Sequence, residues 1–497
     1  MAKMQIFYHS TRDRSKKFTS SECILKGLSD DGGLFVTDAI DSIHFDYRQL
    51  IGKTYQEIAK TVFQQFFTDF TEKQIDDCVH RAYNTENFES QEIFTMRDFA
   101  GYSFLELYRG RTIAFKDAAL SVLPHLMGWA KKNAGEKRKI VILTATSGDT
   151  GKAALEGFRD AEGIDVIVFY PYGGVSKLQL LQMLTQEGNN VFSVALQGNF
   201  DDAQTSVKEI FNDVSYNDKL DQCNVVLSSA NSINIGRLIP QIVYYYHAYA
   251  ELVEKQLIQS GDPINFVVPT GNFGNILAGY YAFKTGLPIH KLICSSNENN
   301  VLTDFFETGI YDKNRVFKKT ISPSMDILIS SNLERFIYEL CGRDVQLLKE
   351  KMTQLKEAGR YEIDMTQNDF SLFYGGYATE QEIRDEIKMS FDQDGYLIDT
   401  HTATGRKVYR DYVAATEDNT YTVILSTASP FKFAKDVYGA IDSALYDDDS
   451  SYMYALSKIS AIPLPRVIDG IEKRSAKPET VIEKDQMRNT IYDIIVR

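Results

Sequence analysis

The amino-acid sequence predicts an α/β protein built on a mainly parallel sheet with helices on both faces. Between residues 91 and 295, apolar runs of strand length alternate with segments of helix length. The runs are apolar at successive positions rather than at every second one, the pattern of strands buried on two faces. Loops rich in glycine, asparagine and hydroxyl residues follow several runs, at the carboxyl ends where parallel sheets place ligands.

Residues 1–90 form a separate first block. In SDDGGLFVTD (29–38) the Asp-Asp-Gly-Gly cluster sets a turn before an apolar strand. YQEIAKTVFQQFFTDF (55–70) places Ile58, Val62, Phe63, Phe66 and Phe67 at helical spacing. A second helix over 71–83 starts at Thr71 as N-cap, and Gln74 completes a capping box. Farther on, KIVILTA (139–145), IDVIVFYP (164–171), NVFSVALQ (190–197), NVVLSSA (224–230), INFVVP (264–269) and KLICSS (291–296) are strands. The intervening helices cover 151–163, part of 173–188, 200–214, 237–255 and the stretch after GNFGN. Residues 296–420 are more charged and helical, an elaboration packed on the α/β body. TYTVILSTASPFKF (420–433) returns to a buried strand and a polar turn, and the tail after Asp447 is polar, then helical.

The 497 residues, 43% of them hydrophobic, suffice for two or three domains with cores. A net charge of −14 argues against nonspecific binding to nucleic acid or an anionic membrane. It leaves room for a basic pocket inside an acidic surface. The five cysteines show no CxxC or Cys/His ligand spacing, so no disulfide framework and no metal site is expected. The N-terminal stretch lacks an apolar signal core and no run of 18 apolar residues occurs, which predicts a cytoplasmic protein.

The most informative segment is LELYRGRTIAFKD (105–117). Lys116 lies between Ile113-Ala114-Phe115 and, past Asp117, Ala118-Ala119-Leu120, at what reads as a helix start. Burial disfavours the ammonium, and a neutral amine can condense with an aldehyde cofactor. The plain alternative is an amphipathic helix with one solvated lysine. GNFGN (271–275) joins a strand to a helix, where close backbone approach and free amides suit a phosphate; it is otherwise a tight turn. TATSGDTGK (144–152) lacks the glycine and the hydroxyl of a nucleotide P-loop. What remains is a set of hydroxyls and amides fit for a carboxylate, or a helix cap made by Asp149 or Thr150. SSANSINIGR (228–237) gathers Asn231, Ser232, Asn234 and Arg237, and arginine pairs with phosphate or carboxylate. STASPFKF (426–433) sets Ser426, Thr427 and Ser429 after a strand, for a heteroaromatic nitrogen or for ordinary turn bonding.

Taken together and in this order, AFKD, SGDTG, NSINxxR, GNFGN and STAxPxKF resemble the threonine synthases, within the tryptophan-synthase-β-like enzymes that use pyridoxal phosphate. YHSTRD (8–13) and DGGLF (31–35) resemble the N-terminal domain of the long bacterial and fungal members. The resemblance spans nearly the whole chain. It implies the type II fold of pyridoxal-phosphate enzymes, with two open, twisted, mainly parallel sheets flanked by helices. It also implies an N-terminal domain over 1–90, a cofactor-binding core over 91–345, and a helical insertion and C-terminal segment over 346–497 that completes the core. Lys116 would carry the cofactor. Gly271, Asn272, Phe273, Gly274 and Asn275 would bind its phosphate, and Thr427 would face its pyridine nitrogen. Ser147, Asp149 and Thr150 would lie over the substrate carboxylate and the cofactor ring oxygen. Asn231, Ser232 and Arg237 would hold the substrate phosphate. The implied reaction converts O-phospho-L-homoserine and water to L-threonine and phosphate, and the resemblance implies a cytoplasmic, monomeric enzyme. The rival readings are a dehydratase or phospho-amino-acid lyase of the same fold, and a non-catalytic cofactor-binding protein. One departure stands out: the family reads HGPT or HGAT before AFKD, where this chain has Arg109-Gly110-Arg111-Thr112.

Overall fold

A computed structural model describes residues 5–146, 148–198 and 200–496. The chain opens with a small antiparallel sheet of β1 (Tyr8–Ser10), β2 (Asp13–Phe18) and β3 (Phe35–Val36), in which β1 is central. The helices Tyr55–Phe66 and Glu72–Ala82 follow. Both start with capping boxes, Thr54 with Glu57 and Thr71 with Gln74, so two free amides at each start find side-chain acceptors.

Two larger sheets carry the body. Strands β4 (Thr95–Phe99) and β5 (Tyr102–Glu106) form an antiparallel pair. Strands β6 (Lys139–Ala145), β7 (Ile164–Pro171), β8 (Val191–Leu196) and β9 (Val225–Ser228) lie in one parallel sheet. Strands β10 (Ile264–Pro269) and β11 (Ile289–Ser296) begin the other, a short hairpin-like pair β12 (Ile310–Asp312) and β13 (Arg360–Glu362) stands apart, and β14 (Phe373–Tyr377) and β15 (Thr422–Ser426) complete it. With β16 (Thr480–Ile482), the five-stranded sheet has the order β16-β8-β7-β6-β9 and is wholly parallel. The six-stranded sheet has the order β14-β11-β10-β15-β5-β4 and is parallel except at β4. Every residue of β7 and β10 is buried, as strands covered on both faces must be.

The expected helix over 237–255 is divided. Ile235–Leu238 is followed by a single 3₁₀ turn, Ile239–Gln241, and then by Ile242–Glu254. Pro240 sits in that turn; its ring and missing N–H prevent the α-helical ladder from continuing through it. The Ile242–Glu254 helix is buried almost all round and aims Tyr245 at the six-stranded sheet, where its ring meets Phe266 edge-on at 4.8 Å. Edge strands escaped the sequence reading. β14 reads FYGGY, too short and glycine-rich to show an apolar run. A Cβ on Gly376 would lie 2.5 Å from Val408 Cγ1, and one on Gly375 3.0 Å from Thr303 O, so close approach of helices replaces side-chain packing there. β16 is three residues in a polar tail, and its pairing is the only thing that makes it a strand.

The first block is bound to the body by charge as well as by apolar packing. Arg12 and Thr11 both donate to the Glu334 carboxylate, Arg12 Nη2 at 2.7 Å and Thr11 Oγ1 at 2.6 Å. The neighbouring Arg335 is wholly buried; it donates to Phe35 O at 3.0 Å and to Ile233 O at 2.6 Å. No helix among the described residues is long and apolar enough to cross a membrane.

Because Val408 is β-branched and cannot swing aside, Gly376→Ala should lower stability by roughly 1–3 kcal/mol, the usual cost of overpacking. Urea unfolding followed by tryptophan and tyrosine fluorescence measures this; an unmoved midpoint would mean that the helix Thr400–Thr416 can retreat.

Candidate active site

A cavity of about 720 Å³ opens between the two sheets, beyond the ends of β6, β10 and β15. Lys116, Asp149, Thr150, Asn231, Ser232, Arg237, the whole turn Gly271–Asn275 and Thr427 line it. These segments are separated by up to three hundred residues of sequence, and the fold brings them to one place. Ser147, expected at the substrate carboxylate, lies outside the described residues.

Lys116 immediately precedes the short helix Asp117–Leu120. The chain reaches it through a left-handed Ile113 (φ +50°) and an Asp117 carboxylate that accepts from Thr112 N at 2.8 Å and Thr112 Oγ1 at 2.5 Å. Phe115 N donates to Thr427 O at 2.8 Å, so the lysine loop and the loop after β15 are one unit. Lys116 Nζ is 3.4 Å from Asp149 Oδ2. Burial pushes the Lys116 ammonium down to about 8; Asp149 opposes this, and the positive Lys432 and Arg237 reinforce it.

Asp149 is a hub. Besides Lys116, its carboxylate accepts from Gln179 Nε2 at 2.8 Å and Ser324 Oγ at 2.9 Å, and lies 3.0 Å from Lys432 Nζ. Burial alone would raise its pKa, but the positive Lys432 and Lys116 hold it well below the usual carboxylate range. Asp149 is the first residue of the helix Asp149–Gly157 and does not cap it. Thr146 Oγ1 instead accepts from the amides of Gly148 and Gly151, both at 3.0 Å.

Arg237 is buried and donates to Ala230 O at 2.9 Å, but it is in no ion pair among the described residues. Burial pushes its pKa down to about 10. A guanidinium facing a cavity without a counter-charge is prepared for an anion. Asn234, grouped with it in the sequence, caps the helix Ile235–Leu238 and ties Ile24 O and Ser229 O instead. Likewise Ser429 caps the turn at Pro430 and Ser426 Oγ lies 3.0 Å from Thr402 Oγ1, leaving Thr427 as the hydroxyl of that loop that faces the cavity.

The residues present fit a phosphorylated aldehyde cofactor. The helix Gly274–Lys284 begins after Phe273, whose φ is +64°, and no side chain caps it, so its first amides are open to an anion. The Phe273 ring is held in a cluster with Phe306, Phe336 and Phe373 at 5.9–6.1 Å. A Cβ on Gly271 would stand 2.5 Å from Ser324 O. Asn275 Oδ1 is occupied by the hydroxyls of Tyr244 (2.5 Å) and Tyr245 (2.9 Å), while its buried Nδ2 has no partner among the described residues. That orphan donor is what an incoming phosphate would satisfy.

Several residues at the site carried no assigned role in the sequence reading. Lys432 lies in the quoted STASPFKF segment, and a lysine set among Phe431 and Phe433 was its one visible signal. Gln179 was detectable as the N3 partner of a capping box with Ser176. Ser324 and His401 gave none. His401 lines the cavity; its Nδ1 faces Asp399 Oδ2 at 2.7 Å and its Nε2 accepts from Ser324 N at 3.1 Å, which places the ring proton on Nδ1.

Comparison with known proteins agrees with this geometry. Residues 7–83 match the family model "Threonine synthase N terminus", 104–427 match "Pyridoxal-phosphate dependent enzyme", and 402–491 match "Threonine synthase, C-terminal". The protein named Threonine synthase-like 1 of Homo sapiens is 38% identical over 468 residues, 90% of this chain and 61% of that protein. The chain thus spans about three-fifths of that relative's length. Threonine synthase of Schizosaccharomyces pombe is 36% identical over 88% of this chain and 90% of its own. The crystal structure of PLP-bound threonine synthase from Brucella melitensis superposes with a TM-score of 0.85 at 34% identity, covering 99% of this chain and 98% of that one. A buried lysine, a turn with open amides and an arginine without an ion pair among the described residues surround one cavity, and family models matched from residue 7 to 491 place this protein in the threonine synthase family of pyridoxal-phosphate-dependent enzymes.

Proposed function

We propose that this chain is a threonine synthase, converting O-phospho-L-homoserine and water to L-threonine and phosphate. The observation that carries the substrate assignment is Arg237, a buried cation with no counter-ion among the described residues, in the cavity that Lys116 also lines. A dehydratase acting on an unphosphorylated amino acid has no use for it.

Lys116 holds pyridoxal phosphate, whose conjugated ring, when bound, takes up the electron pair left on the substrate carbon as a proton departs. The turn Gly271–Asn275 holds the cofactor phosphate through the uncapped helix amides and the Asn275 Nδ2 donor. Thr427 offers the ring nitrogen a neutral hydroxyl rather than a carboxylate. Asp149 and Thr150 lie toward the cofactor ring oxygen and the substrate carboxylate. Arg237, with Asn231 and Ser232, holds the substrate phosphate and keeps it after it leaves Cγ. Asn332 Nδ2 fixes Ser232 Oγ at 3.0 Å and also donates to Asn272 O at 3.1 Å, so the two phosphate-holding segments are braced by one amide.

Lys116 also moves the protons. With its amine lowered to about 8, a minor but substantial fraction, roughly a fifth near neutral pH, is uncharged and can accept a proton at Nζ from the substrate α-carbon. Asp149 holds the resulting ammonium within the cavity, and Lys432 neutralises Asp149 in the intervals when Lys116 does not.

Two experiments test this reading. Purified protein incubated with O-phospho-L-homoserine should release phosphate and threonine in equal amounts; 2-oxobutyrate without threonine would make it a lyase. Arg237→Ala should raise KM and lower kcat, together on the order of a hundredfold or more in kcat/KM for loss of a charge-assisted pair, while the cofactor's visible absorbance persists. Lys432→Met removes a positive neighbour and frees Asp149 to pair with Lys116, so the Lys116 pKa should rise. Since the neutral amine condenses with the aldehyde, the pH midpoint for cofactor uptake by the apoprotein should move upward from about 8. An unshifted curve would remove Lys432 from this role.

A further inference from the structure

A second cavity, of about 620 Å³, shares no lining residue with the first. The helix Asp149–Gly157 relates the two: its first residue lines the catalytic cavity, and Lys152 and Glu156 line the other. Arg109 and Arg111, the chain's departure from the family pattern, line it as well. Both are engaged, Arg109 with Glu106 at 2.5 Å and Arg111 with Glu156 at 3.2 Å.

Three lining groups are not engaged in this way. Gln182 is 2% exposed, and its Oε1 has no hydrogen-bond partner among the described residues. A buried acceptor left open costs on the order of 1–3 kcal/mol unless a donor arrives. Arg466 and Arg474 are exposed and in no ion pair among the described residues; Arg474 donates only to Asp469 O, at 3.4 Å. Two free guanidinium groups in a protein of charge −14 match a dianion. The apolar side chains of Phe88, Val467 and Ile471 line the same cavity. The volume is several times that of an amino acid and within the range of nucleotide-sized ligands.

We propose that this cavity is a binding site for a nucleoside monophosphate, with the phosphate on Arg466 and Arg474, the ring against Phe88 and Val467, and a base N–H donated to Gln182 Oε1. Unpaired cations, apolar walls and an open buried acceptor in one cavity select a ligand with a phosphate, a flat ring and a donor, and an amino-purine nucleotide has all three.

Isothermal titration of the holoenzyme with AMP, inorganic phosphate and adenosine tests it. AMP should bind one per chain and inorganic phosphate at least tenfold more weakly. The double variant R466A/R474A, on exposed side chains remote from the catalytic cavity, should lose at least tenfold in AMP affinity with turnover unchanged. Gln182→Leu should weaken AMP and leave phosphate binding as it was. No heat with millimolar AMP overturns the proposal. So does AMP binding that survives R466A/R474A but vanishes in Arg237→Ala, which would put the nucleotide in the catalytic cavity. Equal affinity for AMP and phosphate overturns the nucleoside part.

Discussion

The site depends on one buried carboxylate. Asp149 holds two lysines, an amide and a hydroxyl drawn from four separate segments: Lys116 before β6, Gln179 after β7, Ser324 in the elaboration and Lys432 after β15. A lone buried carboxylate would be untenable, and so would two adjacent buried ammonium groups. Together they are compatible, because each charge has a partner of opposite sign. The arrangement also divides labour. Lys432 also donates to Thr112 O at 2.9 Å and is tied into the lysine loop, while Lys116 is the lysine whose ammonium burial pushes down to about 8.

A second constraint works from outside the cavity. Arg335 reaches Phe35 in the first block and Ile233 beside Ser232, while Asn332, one turn earlier, braces Ser232 and Asn272. Glu334, next in line, is gripped by Thr11 and Arg12. One helix start therefore joins the N-terminal sheet to two of the segments that line the cavity.

What was legible in the sequence follows from the range of the interactions involved. The buried parallel strands were visible because burial on two faces writes a continuous apolar run, as in IDVIVFYP and INFVVP. The Thr71 cap was visible because its partner is three residues away. The lysine, the phosphate turn and Arg237 were visible as motifs in a fixed order. The contributions of Lys432, Ser324 and His401 were not, since each acts through a contact 77 to 283 residues distant on the chain. Pro240 was in plain view, but the apolar period on both sides of it outweighed the break it imposes. Strands β14 and β16 had no signal because neighbours, not side chains, define them.

The left-handed Phe273 has a consequence of its own. A bulky residue at positive φ costs about 1–3 kcal/mol, and here an aromatic cluster drawn from three other segments offsets it. The turn is thus bent before any ligand reaches it. A receptor shaped in advance gives up little chain freedom at the moment of capture, so more of the interaction between phosphate and amides survives as affinity. The tightness of that grip is then governed partly by ring packing on its far side, where drift in sequence could retune it without altering a single contacting atom.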